Sequence, residues 1–424
     1  MMMKDFKTGL VPQLRFPEFR DAQAWEKTTI GEIGNFHYGK SAPKWSLAAD
    51  APTPCVRYGE LYTKFGAVIT ETASRTNIDP SNLRFSKGGE ILVPRVGEKP
   101  EDFGKCCSYL PLANVAIGEM ISVFQTKEIP LFYTYYFRHL YKQFAKVVEG
   151  QNVKNLYYAE LEPLTIFRPS RAEQQKIADC LGSLDELITV QRHKVDALKT
   201  YKRGLMQQLL PHEGETVPRL RFPEFTGLSS WHSKKIGSLM SKASFAVSVE
   251  PEKMYREIGI RSHGKGIFHK VPVLGKVIGE KRVFKVVQDA LVLNIVFAWE
   301  QAVATTSEKE TEMIASHRFP MYVAKPGKCD VEYIKNFFVT KEGKRLLGMA
   351  SPGGAGRNKT LGQKEFEKLE VVLPVSVNEQ VQIANCLSSL DTKITFEADQ
   401  LEALKAHRMG IMQQLFPAPE EGEA

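Results

Sequence analysis

The sequence predicts an α+β protein: two mixed α/β domains joined by an antiparallel pair of long coiled-coil helices, the whole a duplicated unit with pseudo-twofold symmetry. Three observations predict it. Two stretches recur at one constant offset, heptad-spaced apolar residues run through both copies of the second stretch, and the intervening bodies mix short apolar strands with helical runs.

The offset is the firmest of the three. Val11-Pro-Gln-Leu-Arg-Phe-Pro-Glu-Phe19 returns as Val217-Pro-Arg-Leu-Arg-Phe-Pro-Glu-Phe225, alike at eight of nine positions, and Trp25 and Ile30-Gly31 return as Trp231 and Ile236-Gly237, always 206 residues on. Residues 173–210 return as 379–416 with 19 identities in 38 positions. The expected division is a first domain over 1–169, a helix over 170–211, a second domain over 212–375, a second helix over 376–417 and a disordered acidic tail over 418–424.

Each trailing block reads as a helix of about 40 residues. Apolar residues alternate by fours and threes at Ile177, Leu181, Leu184, Ile188, Val195, Leu198, Leu205 and Leu209, and again at Ile383, Leu387, Leu390, Ile394, Leu401, Leu404, Ile411 and Leu415. Ser170-x-x-Glu173 and Ser376-x-x-Glu379 open the blocks as capping boxes, and Pro211 and Pro417 close them. An amphipathic helix lying on a globular core would give a similar stripe.

Connectivity sets the direction of the pair. The first helix ends where the second body begins, so two packed seams must run antiparallel. Lys202 and Arg408 would face each other in a parallel pair, whereas the antiparallel register sets them against leucines where their stems can snorkel. Gln191 and Glu397 are polar gaps that weaken the seam. Positions 177 to 209 cover roughly 48 Å at 1.5 Å per residue, the length of about 14 base pairs.

Both bodies contain an apolar strand near their middle, Glu90-Ile-Leu-Val-Pro-Arg95 and Ala290-Leu-Val-Leu-Asn294, followed by helical stretches near 131–144 and 331–347. Each then reaches a glycine-polar loop, Gly150-Gln-Asn152-Val-Lys154 and Gly353-Gly-Ala-Gly356-Arg357-Asn358-Lys359. Backbone N–H groups beside a cation suit phosphate oxygens, and a plain turn into the next strand is the other reading. Arg57-Tyr-Gly59 and Arg261-Ser-His-Gly264 place an arginine just beyond a strand, where it either grips a guanine edge or makes a surface ion pair.

Composition bounds the function. Lys and Arg exceed Asp and Glu by 8, split +5 and +3 on either side of Leu210, which favours a polyanionic partner without requiring one. Six cysteines without CxxC spacing read as a reduced, cytosolic chain. Cys180 and Cys386, repeat mates beside the seam, are expected to pack in the core. The first ten residues lack a signal-like apolar run, and the longest apolar stretch, 290–299, is broken by Asn294 and too short for a membrane span.

Motifs for chemistry of its own are weak. Residues 353–360 resemble an ATPase phosphate loop, but Asn358 stands where glycine must precede the lysine. His263 and His269 lack zinc-site spacing and company, and Glu342-x-Lys344 is a fragment of nuclease sites common by chance. There is no dinucleotide fingerprint and no amino-methyltransferase tetrad. No catalytic residue and no metal ligand are expected.

Taken together, the paired openings, the Glu-Gln-x-x-Ile-Ala-x-x-Leu helix starts at 173 and 379, the Leu-Met-Gln-Gln-Leu and Ile-Met-Gln-Gln-Leu helix ends and the stretch from Glu257 to His269 resemble the specificity subunits of type I restriction-modification enzymes over nearly the whole chain. The resemblance implies two target-recognition domains reading the halves of an asymmetric bipartite site on double-stranded DNA, across an unread spacer. It implies no catalysis and no cofactor on this chain. Two modification subunits would bring S-adenosylmethionine for adenine methylation, and restriction subunits would use ATP and Mg; no membrane is involved. Candidate DNA contacts are Arg57, Arg95, Asn152 and Lys154 in the first body and Arg261, Lys265, Arg357, Asn358 and Lys359 in the second. A coiled-coil scaffold carrying two non-DNA binding modules would explain the duplication and the helices equally well.

Overall fold

Apolar runs too hydrophobic to face water on either side become the central strands. Glu90–Pro94 and Ala290–Leu293 are buried at every position, as a strand covered on both faces must be. The computed structural model describes residues 10–212, 214–353 and 359–417, so the 418–424 tail lies outside the described residues. Its contacts divide it into two compact units, Met1–Arg192 with Asp399–Ala424, and His193–Ala398.

In the first unit Glu90–Pro94 sits inside a four-stranded antiparallel sheet ordered Gly34–Tyr38, Ile121–Thr126, Glu90–Pro94, Ser108–Leu110. Helices Pro130–His139 and Tyr141–Lys146 belong to the core on one face, where Phe132, Tyr133, Tyr136, Phe137 and Phe144 are buried with Ile91, Val93 and Phe124. A second apolar cluster takes Leu92, Ile121 and Val123 together with Ile69 and with Val56 and Ile117 of an outer four-stranded sheet. That sheet runs Ser74–Thr76, Thr53–Val56, Ala113–Ile117, Phe85–Lys87, with its middle pair parallel.

The second unit repeats the inner sheet in the same order: Met240–Ala243, Met321–Ala324, Ala290–Leu293, Val303–Thr305. Its helices Val331–Val339 and Lys341–Met349 bury Tyr333, Ile334, Phe337, Phe338 and Leu347. The outer layer differs. It consists of a three-stranded sheet, Ala246–Val247, Val283–Lys285 and Ile314–Ser316, a small hairpin, Ile258–Ile260 with Ile267–His269, and a two-stranded pair flanking that hairpin in the chain, Met254–Tyr255 with Val273–Leu274.

The helical stretches expected near 131–144 and 331–347 are each two helices. Leu140 ends one and opens the next in the first unit, and Thr340 breaks the run in the second by turning extended and accepting the Gly343 N–H on its hydroxyl at 3.0 Å. Gly343 is required there, since a Cβ would lie 2.3 Å from the Phe337 carbonyl oxygen. Glu342 grips Arg345 with both carboxylate oxygens, a structural use of the Glu-x-Lys fragment.

The heptad blocks form helices Arg171–Leu209 and Val377–Leu415. None of the sixteen apolar seam positions is exposed, and Ile177, Leu181, Ile383 and Leu387 are buried fully into the unit cores. Lys202 and Arg408, expected to lie against leucines, each meet a carboxylate. Lys202 Nζ lies 2.5 Å from Asp391 Oδ1 in the second unit, and Arg408 Nε lies 2.6 Å from Asp185 Oδ1 in the first. Of the polar gaps, Glu397 is buried and takes Lys194 Nζ at 2.7 Å.

The repeated openings and helix starts meet in a clasp. In the first unit Arg15 lies on Glu173, Nε to Oε1 at 2.8 Å and Nη2 to Oε2 at 2.7 Å, and the Trp25 indole N–H donates to the same Oε1 at 3.2 Å. Further guanidinium N–H groups reach the Ala22 and Gln23 carbonyls. The hydrogen bond to Glu173 holds the Arg15 guanidinium above its ordinary pKa. In the second unit Arg221 meets Glu379 at 2.7 and 2.8 Å, Trp231 donates at 3.2 Å, and the Leu228 and Ser229 carbonyls close the set.

This geometry corrects the capping-box expectation. Ser170 Oγ does accept the Glu173 N–H at 3.3 Å, but the carboxylate turns to Arg15 and Trp25, because a buried charge is stable only against an opposite charge with its lone pairs filled. Beside each glutamate, Gln174 and Gln380 bridge the body to the helix start, accepting from the Ile129 and Asp330 N–H groups and donating to the Pro169 and Pro374 carbonyls. Each leading segment also holds a helix end: Leu14 N–H donates to the Gln414 carbonyl in the first unit, and Leu220 N–H to the Gln208 carbonyl in the second.

Candidate nucleic-acid interface

In the first unit three of the four predicted contacts gather around the ends of two strands. Arg57 follows Thr53–Val56, and its Nε donates to the Ala42 carbonyl at 3.2 Å. The Gly118 N–H donates to the Val56 carbonyl, and two residues on the Met120 carbonyl takes the Arg95 N–H, so the turn at 118–120 links the two arginines. Arg95 in turn carries the loop: Val96–Gly97 pairs with Lys154–Asn155, and the Leu156 N–H donates to the Arg95 carbonyl. Gly150 takes φ +96°, and its carbonyl accepts from Lys154 Nζ at 2.6 Å. Asn152 is exposed at the tip of this loop.

Aromatic rings hold Arg95 in place. Its guanidinium carbon lies 4.5 Å from the Tyr38 ring centroid and 5.2 Å from that of Tyr157, while Tyr158 leans on Tyr38 at 4.6 Å and stacks on Phe36 at 5.6 Å. Burial pushes the Tyr38 phenol up, with Arg95 opposing. An arginine restrained between rings loses little rotamer freedom on meeting a base edge. Sequence reading missed Tyr38, Tyr157 and Tyr158; two tyrosines directly after a glycine-polar loop were the available signal.

In the second unit Arg261 and Lys265 lie on the tight loop between Ile258–Ile260 and Ile267–His269, both exposed. The Arg261 N–H donates to the Gly266 carbonyl, and the guanidinium lies 4.9 Å from the Phe268 ring. Residues 294–301 connect this loop to Lys359. His263 and Gly264 donate their N–H groups to the Glu300 and Gln301 carbonyls, and Lys359 Nζ lies 5.5 Å from the Trp299 ring. Arg357 and Asn358 lie outside the described residues.

The rest of the chemistry is structural. His269 Nε2 lies 2.8 Å from Glu310 Oε1, and no group of three metal-ligating side chains converges among the described residues. Lys270 and Lys281 both bind Glu257 and hold its carboxyl below the ordinary value although burial works the other way. Cys180 and Cys386 are half-buried. A groove of about 1360 Å³ in the first unit is lined by Tyr135, Arg138, Asp185, Ile188, Arg408 and Met412 among others. No described helix is long and apolar enough to cross a membrane.

Comparison with known proteins gives one consistent answer. The family model of the type I restriction modification DNA specificity domain matches residues 23–200 and 292–406. A curated relative described as a type I restriction enzyme MjaX specificity subunit, from Methanocaldococcus jannaschii, is 23% identical over 388 residues, 83% of this chain and 87% of the relative. The type I restriction-modification system S subunit of M. genitalium shares the fold with a TM-score of 0.64 at 14% identity, covering 97% of this chain and all of that one. A chain from a structure of complex assembly and conformational transition of the type I R-M system gives a TM-score of 0.51 at 12% identity, covering 93% and 98%.

Proposed function

We propose that this chain, which belongs to the type I restriction-modification DNA specificity family, reads an asymmetric bipartite site on double-stranded DNA with its two target-recognition domains and performs no chemistry itself. One observation carries the reading. Two units share an inner sheet and a clasp, yet their outer layers differ, and Arg57 and Arg261 each follow a strand of those outer layers. Different outer layers fit different half-sites, so the target is not a palindrome.

The two long helices act as the spacer, an antiparallel coiled-coil pair. The pairing of 185 with 408 and of 202 with 391 supports this, since one number rises as the other falls. Apolar side chains off the seam, Leu187, Val190, Tyr201, Phe396 and Met409, stay exposed and suit the docking of two modification subunits. Those subunits would bring S-adenosylmethionine for adenine methylation in the cytoplasm, and restriction subunits would use ATP and Mg.

The test is co-purification with the other products of its operon, followed by single-molecule sequencing of genomic DNA exposed to the complex and S-adenosylmethionine. A motif with one methyl-adenine in each half and a fixed unread gap is the expected result. A stable complex that leaves DNA unmethylated would favour a scaffold carrying two non-DNA modules. Methylation by this chain alone would sink the non-catalytic reading.

A further inference from the structure

Three of the four tryptophans are accounted for. Trp25 and Trp231 are buried with their indole N–H groups on Glu173 and Glu379, and Trp299 donates to the Val296 carbonyl at 3.1 Å beneath Lys359. The fourth, Trp45, is 80% exposed and has no hydrogen bond or ring partner among the described residues. An indole left bare in this way forfeits the burial that makes tryptophan worth having in a fold.

The segment that carries it is nevertheless tied down on both sides. On its N-terminal side the Ala42 carbonyl takes Arg57 Nε, the Ser41 carbonyl takes the Glu119 N–H at 3.2 Å, and Ala42 is 3% exposed. On its C-terminal side Ser46 is buried, its hydroxyl bonded to the Pro43 carbonyl and to Thr76 Oγ1, both at 2.7 Å, and its carbonyl takes the Asn77 N–H. Ser41 and Ala42 hold φ of 64° and 61°, a left-handed conformation that non-glycine residues adopt at a cost. The backbone is thus strained and pinned on both sides of a short 3₁₀ turn, Lys44–Ser46, whose indole projects into solvent. Lys40 and Lys44 are exposed beside it, and 39–49 contains no acid.

We infer that Trp45 is a stacking wedge of the first domain, inserting its indole against the bases in or next to the half-site that this domain reads. The inference rests on the DNA-reading function proposed above. Every base offers a π-face, so a rigid aromatic ring flanked by lysines binds a duplex opened at one step without needing sequence information. Arg57, anchored to the same loop, places the wedge beside the candidate base contacts.

The experiment uses the complex assembled with its modification subunits and a duplex carrying the motif found by methylation mapping, with 2-aminopurine at successive positions. W45A is expected to melt as the wild type does and to bind the duplex at least about tenfold more weakly, with W45F between them. Indole emission should fall on adding the duplex in wild type and not in W45F. A 2-aminopurine signal should rise at one step on the first domain's side and vanish in W45A. Binding by W45A within twofold of wild type, with no quenching in wild type, overturns the wedge and leaves the reading function standing. Indole emission that changes on subunit assembly and not with DNA also overturns it, in favour of a protein contact. A wild-type complex that binds the motif no better than a scrambled duplex sinks both the function and the wedge.

Discussion

Around Trp25 and Trp231 the two units repeat each other bond for bond, whereas at Arg57 and Arg261 they share only an arginine placed just after a strand. Guanidinium, carboxylate and indole meet within 0.1 Å of the same distances in both clasps. The layers that carry the basic rims differ in strand number and pairing. The difference separates two demands. A buried ion pair tolerates no change of partner, since either charge left alone inside the protein is costly. A solvent-facing rim is free to change so long as the sheet beneath it is kept.

The comparison is most easily broken at the clasps. E173A and E379A should each cost about 3–5 kcal/mol in denaturant unfolding, because each leaves an arginine, buried in the first clasp and half-buried in the second, without its carboxylate; a large loss at only one of them would end the equivalence of the two frames. At the rims, R95A is expected to cost about 1–3 kcal/mol in DNA binding and to relax one base position in one half-site only. Binding that weakens for all sequences alike would make Arg95 a phosphate contact instead.

Smaller effects sharpen the picture. The Lys202–Asp391 and Arg408–Asp185 pairs, both partly exposed, should couple by about 0.2–1 kcal/mol in double-mutant cycles and fade with salt. The acid response should distinguish the outer layers. In the second unit Glu257 is held below its ordinary 4.5 against burial by Lys281 and Lys270, and Glu310, likewise against burial, by Ser307 and His269. A depressed carboxyl contributes stability above pH 4.5 that is lost as pH falls through the folded value, so below pH 4.5 the protection of amides in the hairpin Ile258–His269, taken relative to their intrinsic exchange rates, should fall. Protection there that stays constant down to pH 3 would remove these pairs from the account.

The frame was legible in the sequence because it is made of periodic and repeated residues. A constant offset and a heptad stripe located the duplication and both long helices. The clasp was visible as letters but not as a contact: Arg15 and Glu173 lie 158 positions apart, and the nearer serine offered a local partner for the carboxylate. The breaks at Leu140 and Thr340 left no signal, since neither residue is the proline or glycine that usually marks one. The rim was half legible. Arginines after strands stood out, while the rings that restrain Arg95 come from two segments more than a hundred residues apart, a convergence that no local pattern reveals.

The first unit draws its last piece, Asp399–Ala424, from the far end of the chain, with Phe416 stacked on Tyr136 at 5.0 Å and in edge contact with Trp25. Order of synthesis and order of completion are therefore inverted. The ribosome delivers the first domain's sheet early, but its aromatic core has no closing wall until the final helix emerges. A chain stopped near residue 398 would keep every segment of the second unit and leave the first one open, so loss of the tail end should be felt most by the part of the molecule made first.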